Sequence, residues 1–455
     1  MQDTRQERPA LQHAASTAAP MSLEDSLQKL VKVGGYDFLE AIVDGLQNLN
    51  PERKARKKIF LTDQDKVNER KELLKKIQLW QDLLSKEATV SELKDESQHR
   101  AEESEALLQK NIGQALEATR NLEQAYRTVH QFYKNTESDK LTNVNIINAS
   151  MSQLTDLDNP RFIEHVAEEL KHNYDRLDLR DNYSLLVIPG YLGANKIVER
   201  WAKIAHSNKA MLVTDFANLD QPDDVIDLFT SANLTGGDAY RSNVIMTCNW
   251  LVGRGKVEAA GEEDDLHVPG SASLAGKMYY TLMSQVTAGK KHGAMNEADG
   301  VRFDLKKSEI SQLERIGLVP MVNEYGKVMA FSAKTLFNGD NIGLQTYSVV
   351  RVFDYITKVL FDFLNRRAFE NWNSKTEHDL RAQIVKFLDS IQGPDALIER
   401  FKIIRFEQDD VQKDRIHLDI HITPYFPAKS FVVKLDGYKG EDEQRTWNTE
   451  YAAQK

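Results

Sequence analysis

Several things are scarce or missing in this sequence, and each absence removes a class of function. There is one cysteine, Cys248, in 455 residues. That excludes a disulfide framework and a cysteine-based zinc site, and it fits a reducing compartment. No apolar run approaches the roughly 20 residues of a membrane-spanning helix, so direct membrane insertion is not expected. The opening stretch MQDTRQERPALQHAASTAAP lacks the apolar core of a secretory signal and reads as a disordered tail. A cytoplasmic location is expected. Excess positive charge is also absent: the net charge is −10, which argues against a dedicated binder of nucleic acid or anionic membranes. There is no internal repeat, no G-x-S-x-G elbow and no H-E-x-x-H. What remains is an ordinary globular composition, 41% apolar and 28% charged, long enough for two or three domains with real cores.

The hydrophobic pattern changes period along the chain. Residues 22–46 read as short helices broken at Gly34-Gly35, followed by a basic linker and the short apolar run Lys58–Leu61, read as a strand. From Thr62 the pattern is helical, with Leu73, Ile77, Trp80 and Leu84 on one stripe. A longer helix follows. In it Leu108, Ile112, Ala115, Thr119, Leu122, Tyr126, Val129 and Tyr133 recur at alternating spacings of 4 and 3, which is coiled-coil spacing. This predicts a helical hairpin packed on itself or on a neighbouring chain. Next come a strand in YSLLVIPG, a helix in ANKIVERWAKIAH, a strand in KAMLVTDF, a helix in PDDVIDLF and a strand in SNVIMTCNW. That β-α-β-α-β alternation predicts a small parallel-sheet layer. The segment 317–337 reads as a hairpin turning around Asn323–Gly326. The helix from Gln345 is apolar on nearly every face, which calls for burial in a large core or against other subunits. After a cleaner amphipathic helix, FKIIRF, RIHLDIHI and SFVVKLDG read as a meander, and the residues beyond Gly437 as a loose polar tail.

The candidate chemical motifs each have a plainer reading. Gly190 and Gly193 end the first strand, and Asp215 ends the second, at about the distance where a dinucleotide fold places its ribose carboxylate. The glycine spacing is wrong for G-x-G-x-x-G, and two glycines at a strand end make a plain turn. Gly270–Met278 resembles a phosphate loop, but the gap from Gly270 to Gly276 is too long. Met278 also stands where a magnesium-binding hydroxyl is needed. Cys248 lies in an apolar strand and reads as core. The acidic loop Gly261–His267 lacks alternating ligand spacing and reads as solvated. His417, Asp419 and His421 share one strand face, with Ile416, Leu418, Ile420 and Ile422 on the other. Residues two apart on a strand are separated by about 7 Å, and the two histidines by about 14 Å, too far to converge on one ion. Neither a metal nor another cofactor is expected.

Four segments carry a resemblance to a known family: SLLVIPGYLGANKIVERWAKIAHSNKAMLVTDF, GLVPMVNEYGKVMAFSAKTLF, YSVVRVFDYITKVLFDFL and RIHLDIHITPYFPAKSFVVKLDG. Together, over Tyr183–Gly437, they are similar to the large subunit of the type VI secretion contractile sheath, the TssC/VipB family. The prolines of one family segment are missing from NVIMTCNWLVGRGKV. The resemblance implies a mechanical, non-enzymatic subunit of the bacterial cytoplasm. Such a subunit pairs with a small sheath subunit of the TssB/VipA type, and copies of the pair build a helical tube around an inner Hcp tube. The tube grows from a baseplate, contracts, and is dismantled by a ClpV-type ATPase.

The expected fold is mixed α+β and α/β. It has a tail and linker (1–61), a helical arm (62–180), a central α/β domain (181–335), a C-terminal domain with helices and meander (336–437) and a polar tail (438–455). Head-to-tail contacts that do not close make open helical filaments, and a donated strand can extend an open sheet edge. Residues expected at a strand-augmented interface are Ile59, Phe60, Leu61, Ile416, Leu418, Ile420, Ile422, Phe431, Val433 and Leu435. Leu108, Ile112, Leu122, Tyr126 and Val129 are expected at an arm interface. The other readings are a nucleotide-binding α/β enzyme on residues 183–250 and a phage-type tail sheath.

Overall fold

The computed structural model describes residues 58–85, 89–137, 141, 144–176, 179, 182–429, 432–438 and 445–452, the last two segments as backbone only. The chain divides into two compact units, 1–106 and 107–455. In the first, residues 58–62 are helical and lead through a 3-10 turn at Gln64–Lys66 into α1 (Val67–Leu84). The strand expected at Lys58–Leu61 is therefore a helical turn. A lone four-residue strand has no ladder partner among the described residues, whereas a turn satisfies itself: Asp63 N–H donates to Ile59 O at 2.8 Å, and Arg70 Nη1 donates to Phe60 O and Asp63 O, each at 2.6 Å. Next comes α2 (Val90–Asn135). Its start is written as T-x-x-E: Thr89 N–H and Oγ1 donate to Glu92 Oε2, both at 2.8 Å.

The second unit is built on a five-stranded sheet in the order β1-β2-β3-β7-β8. Its members are β1 (Leu185–Tyr191), β2 (Met211–Asp215), β3 (Val244–Cys248), β7 (Val319–Glu324) and β8 (Lys327–Ala330). The first four are parallel and β8 closes antiparallel, turning at Tyr325–Gly326. Both faces are buried, so the strands are continuous apolar runs rather than alternating ones. The period of two sorts them. Leu212, Val244, Met246 and Cys248 face α3 (Arg161–Asp175), α4 (Asn195–Ser207) and α5 (Pro222–Ala232). Met211, Val213 and Ile245 face α6 (Gly270–Tyr280) on the other side. Cys248 is thus a core residue, and burial pushes its thiol pKa up. A small sheet of β4 (Leu251–Arg254), β5 (Leu266–Val268) and β6 (Gly300–Val301) flanks this body, and α7 (Lys307–Arg315) supplies Leu313 to the first cluster.

The apolar helix is α8 (Tyr347–Arg366). Its first turns enter the central core through Tyr347 and Val350. Val352 and Ile356 then start a separate core with α9 (Ser374–Ser390), β9 (Ile398–Gln408) and β10 (Ile416–Pro424). The meander is not one sheet. β10 pairs with β9, while β11 (Val432–Tyr438) pairs with β12 (Arg445–Ala452) as a separate hairpin. The expected loose tail therefore contains a strand. RTWNTEYA is rich in β-branched and aromatic residues, and a nearby partner closes a shorter loop than β10 does. Val433 and Leu435 lie opposite Tyr451 and Thr449 of β12 rather than in the β9–β10 sheet. Phe431 lies outside the described residues.

Trp201 anchors the α4 layer: it is fully buried, and its Nε1 donates to Leu154 O at 2.9 Å. Trp201→Ala is expected to cost about 3–5 kcal/mol, read as a drop in the chemical denaturation midpoint of the full chain.

Candidate assembly interface

The glycine turn and the phosphate-like loop meet at one buried carboxylate. Asp215 ends β2 with no exposed surface. Its Oδ2 accepts from Gly190 N–H at 2.8 Å and from Ser271 Oγ at 2.5 Å. Its Oδ1 accepts from Ser271 N–H at 2.9 Å and from Thr247 Oγ1 at 2.5 Å. Burial raises the Asp215 pKa, and these four donors oppose the rise. Gly190 reaches the carboxylate through a φ of +101°, a conformation that costs a side-chain-bearing residue. Ser271 lies in the first turn of α6, where the helix dipole favours an anion. The Gly190 N–H and the first turn of α6, the two elements that resembled phosphate-binding turns, thus bind the chain's own carboxylate.

The rest of α6 receives α2. A Cβ on Gly276 would stand 2.4 Å from Phe132 O, so only glycine allows this approach. Ser273 Oγ donates to Gln131 Oε1 at 2.9 Å, and Asn135 Oδ1 accepts from Asn296 N–H at 2.8 Å. Further up the helix, Gln124 donates to His267 O at 2.7 Å, Arg127 to Gly253 O at 2.9 Å and Arg120 to Asp265 O at 2.9 Å. Charged pairs tighten the contact. Arg254 bridges Glu123 at 3.0 Å and Glu262 at 2.6 Å, and Glu262 also meets Arg120 at 3.2 Å. The acidic loop is therefore only partly the solvated loop expected: Glu262 joins the clamp on α2, while Asp264 pairs with Arg302 and stays exposed, as does Glu263. These docking residues were hidden in the sequence because they read as the helix's solvent side. Their signal was present, since Gln124, Thr128, Gln131 and Asn135 repeat at the same 4-3-4 spacing as the apolar stripe.

Because α2 docks through its polar face, its apolar stripe points outward. Leu108, Ile112, Leu122, Tyr126 and Val129 are all exposed, Leu122 at 72% and Tyr126 at 66%. On α1, Leu73, Ile77 and Trp80 are exposed as well.

In the β9–β10 sheet, Ile416, Leu418, Ile420 and Ile422 are half-buried against the core that Leu380, Ile384 and Leu388 of α9 help to build. Among the described residues the ladder of each strand runs only along the other, apart from a parallel bridge from Gln392 to Ile398 at the start of β9, so most of two backbone edges stays open. A register shift between Asp419 and Ile420 leaves Ile404 as the extra residue of a bulge. On the opposite face His417 Nε2 lies 2.7 Å from Asp409 Oδ2, in the turn before β10. Asp419 and His421 are exposed, and across the ladder they face Arg405 and Lys402.

Comparison with protein families matches three models end to end. The N-terminal region of TssC/VipB-like proteins covers residues 23–112, the type VI secretion system TssC/VipB central domain 114–338, and the TssC/VipB-like C-terminal domain 346–453. The chain belongs to the TssC/VipB family. It is a structural subunit of a type VI secretion sheath. Two similar solved structures are a chain of the anti-feeding prophage baseplate and a chain of the contracted PVC sheath complex of an extracellular contractile injection system. The first has 16% identity and a TM-score of 0.48 and covers 69% of this chain and 80% of its own. The second has 14% identity and a TM-score of 0.45 and covers 68% and 97%. No curated protein sequence matches the chain.

For this TssC/VipB subunit the clamp predicts acid-sensitive arm docking. Hydrogen bonds from Arg254 hold the Glu262 carboxyl at about 2, below its ordinary 4.5. A depressed pKa contributes stability that is complete above the unfolded value and is lost as pH falls through the folded one. Hydrogen-exchange protection of residues 120–131 should hold from pH 7 to about 5 and then fall from about 4.5 toward 2. Arg254→Met should lower protection already at pH 7 and shrink the acid step, leaving the part that Val257 N–H, Arg120 and Arg127 still support.

Proposed function

We propose that this subunit co-polymerises with a small TssB/VipA-like sheath subunit into a helical tube around an inner Hcp tube, in the bacterial cytoplasm. The tube would grow from a baseplate and contract to drive the inner tube outward, and a ClpV-type ATPase would dismantle it. The work of this chain is mechanical: it holds neighbours and changes its relation to them. Among the described residues no helix is long and apolar enough to cross a membrane. The observation that carries the reading beyond family membership is the pair of unfinished surfaces, the outward apolar stripe of α2 and the open edges of β9–β10. Each is incomplete in one chain and complete only against another.

The stripe supports the arm-interface residues, and the β9–β10 edges support those on β10. Ile59, Phe60 and Leu61 belong to the proposal as a segment that changes from helical turn to strand when a neighbour offers an edge. Co-expression with the small subunit is expected to give long hollow tubes in electron micrographs. A chain that stays monomeric beside that partner overturns the reading.

Two variants separate folding from assembly. Leu122→Glu with Tyr126→Glu alters side chains already in water, so stability should change by no more than about 0.5 kcal/mol per site, while tube yield drops severalfold. Prolines at Leu418 and Ile420 remove ladder donors and should abolish tubes while circular dichroism still reports a helical arm. Alanines at His417 and His421 should leave assembly largely intact.

A further inference from the structure

The first turns of α8 bury a charge that no carboxylate among the described residues answers. Other buried charges nearby have partners. Asp354 accepts from Asn243 Nδ2 at 2.7 Å and lies 3.8 Å from Lys209 Nζ; Lys358 donates to Tyr183 O at 2.7 Å; Lys277 pairs with Glu137. Arg351 is 7% exposed, and its one hydrogen bond runs from Nη2 to Met278 O at 3.2 Å. Its Nε and Nη1 have no partner, and neither do Ser348 Oγ and Thr287 Oγ1, among the described residues. No carboxylate pairs with Arg351 within salt-bridge distance in that set.

These groups belong to one place in the fold. Ser348 and Arg351 are three apart on α8 and share a face. Thr287 is held to the same turn because its backbone N–H donates to the Tyr347 hydroxyl at 2.9 Å. The tyrosine cannot serve as counter-charge, since burial pushes its phenol pKa up and keeps it neutral. Burial lowers the Arg351 guanidinium only to about 10, so it stays charged at neutral pH. The result is a positive charge with spare N–H donors and two hydroxyls that can donate. All of it lies near the N-terminal end of a 20-residue helix, whose dipole adds positive potential.

An uncompensated buried cation is strongly unfavourable, and a neutral water would leave the charge in place. We propose that Arg351, Ser348 and Thr287 form a buried site for a small inorganic anion of the halide type, which fastens the start of α8 to the segment 278–287. The burial of all three side chains favours a monatomic ion over a carboxylate reaching in from a neighbouring chain.

The test is thermal melting of the purified full chain at constant ionic strength, with gluconate replaced stepwise by chloride or bromide. The wild type should melt at least about 2 °C higher at saturating halide. Arg351→Met should melt at the same temperature throughout, because a side chain of similar reach then occupies the site without charge. A wild-type midpoint that ignores halide overturns the proposal, and so does an Arg351→Met chain that keeps the response. Should that variant fail to fold, Ser348→Ala is measured instead. A half-saturating halide concentration raised at least threefold supports the site, and an unchanged one overturns it.

Discussion

The carboxylate of Asp215 accepts hydrogen bonds from three separate segments: the β1 turn at Gly190, the β3 residue Thr247 and the first turn of α6 at Ser271. Each bond fixes a direction as well as a distance. Together they set where α6 leaves the sheet, and α6 presents Ser273 and Gly276 to the end of α2. The orientation of the long helix thus traces back to a carboxylate buried beneath it. Burying that group is costly, and four donors offset the cost. A half-satisfied version would be worse than an apolar core, so the network's parts depend on one another.

That chain of dependence explains why α2 is turned inside out. An isolated amphipathic helix lays its apolar stripe on the core. Here the docking is polar, through glutamine and asparagine side chains, arginine forks and one glycine contact. Such contacts are directional and fix register and rotation, which a greasy stripe does more loosely. The apolar stripe is then free for a surface where non-directional burial against another chain supplies affinity. Docking uses the polar face of this helix and leaves its apolar face uncovered among the described residues, so under the proposed assembly the two tasks fall on opposite faces and do not compete.

What was legible in the sequence follows from burial. Strands β1, β2 and β3 are covered on both faces, so they stand out as unbroken apolar runs between helices. Leu108 to Tyr133 were legible as a stripe, but its partner was not, because heptad spacing states only that a face is apolar. The Asp215 spacing invited a nucleotide reading for a physical reason: a carboxylate at the end of a second strand sits beside the first glycine turn whether its partner is a ribose or a backbone N–H. Lys58–Leu61 and the β11–β12 hairpin were misread because short segments take their structure from whatever edge is near. Local pattern cannot say which edge that is.

The same dependence on a neighbouring edge bears on how the β9–β10 sheet avoids promiscuous pairing. Its apolar face is already spent on α9 and the surrounding core, so an incoming strand gains backbone bonds but little hydrophobic contact on that side. Its other face carries Arg405 opposite Asp419 and Lys402 opposite His421, and charge beside an edge discourages casual addition. The bulge at Ile404 further twists one edge away from a flat template. Under the proposed assembly a partner would have to match a twisted, charged edge and also reach the apolar stripe of α2. Two weak requirements at fixed separation select a partner more sharply than one strong patch, because the second contact forms at high effective concentration only when the geometry of the first is right.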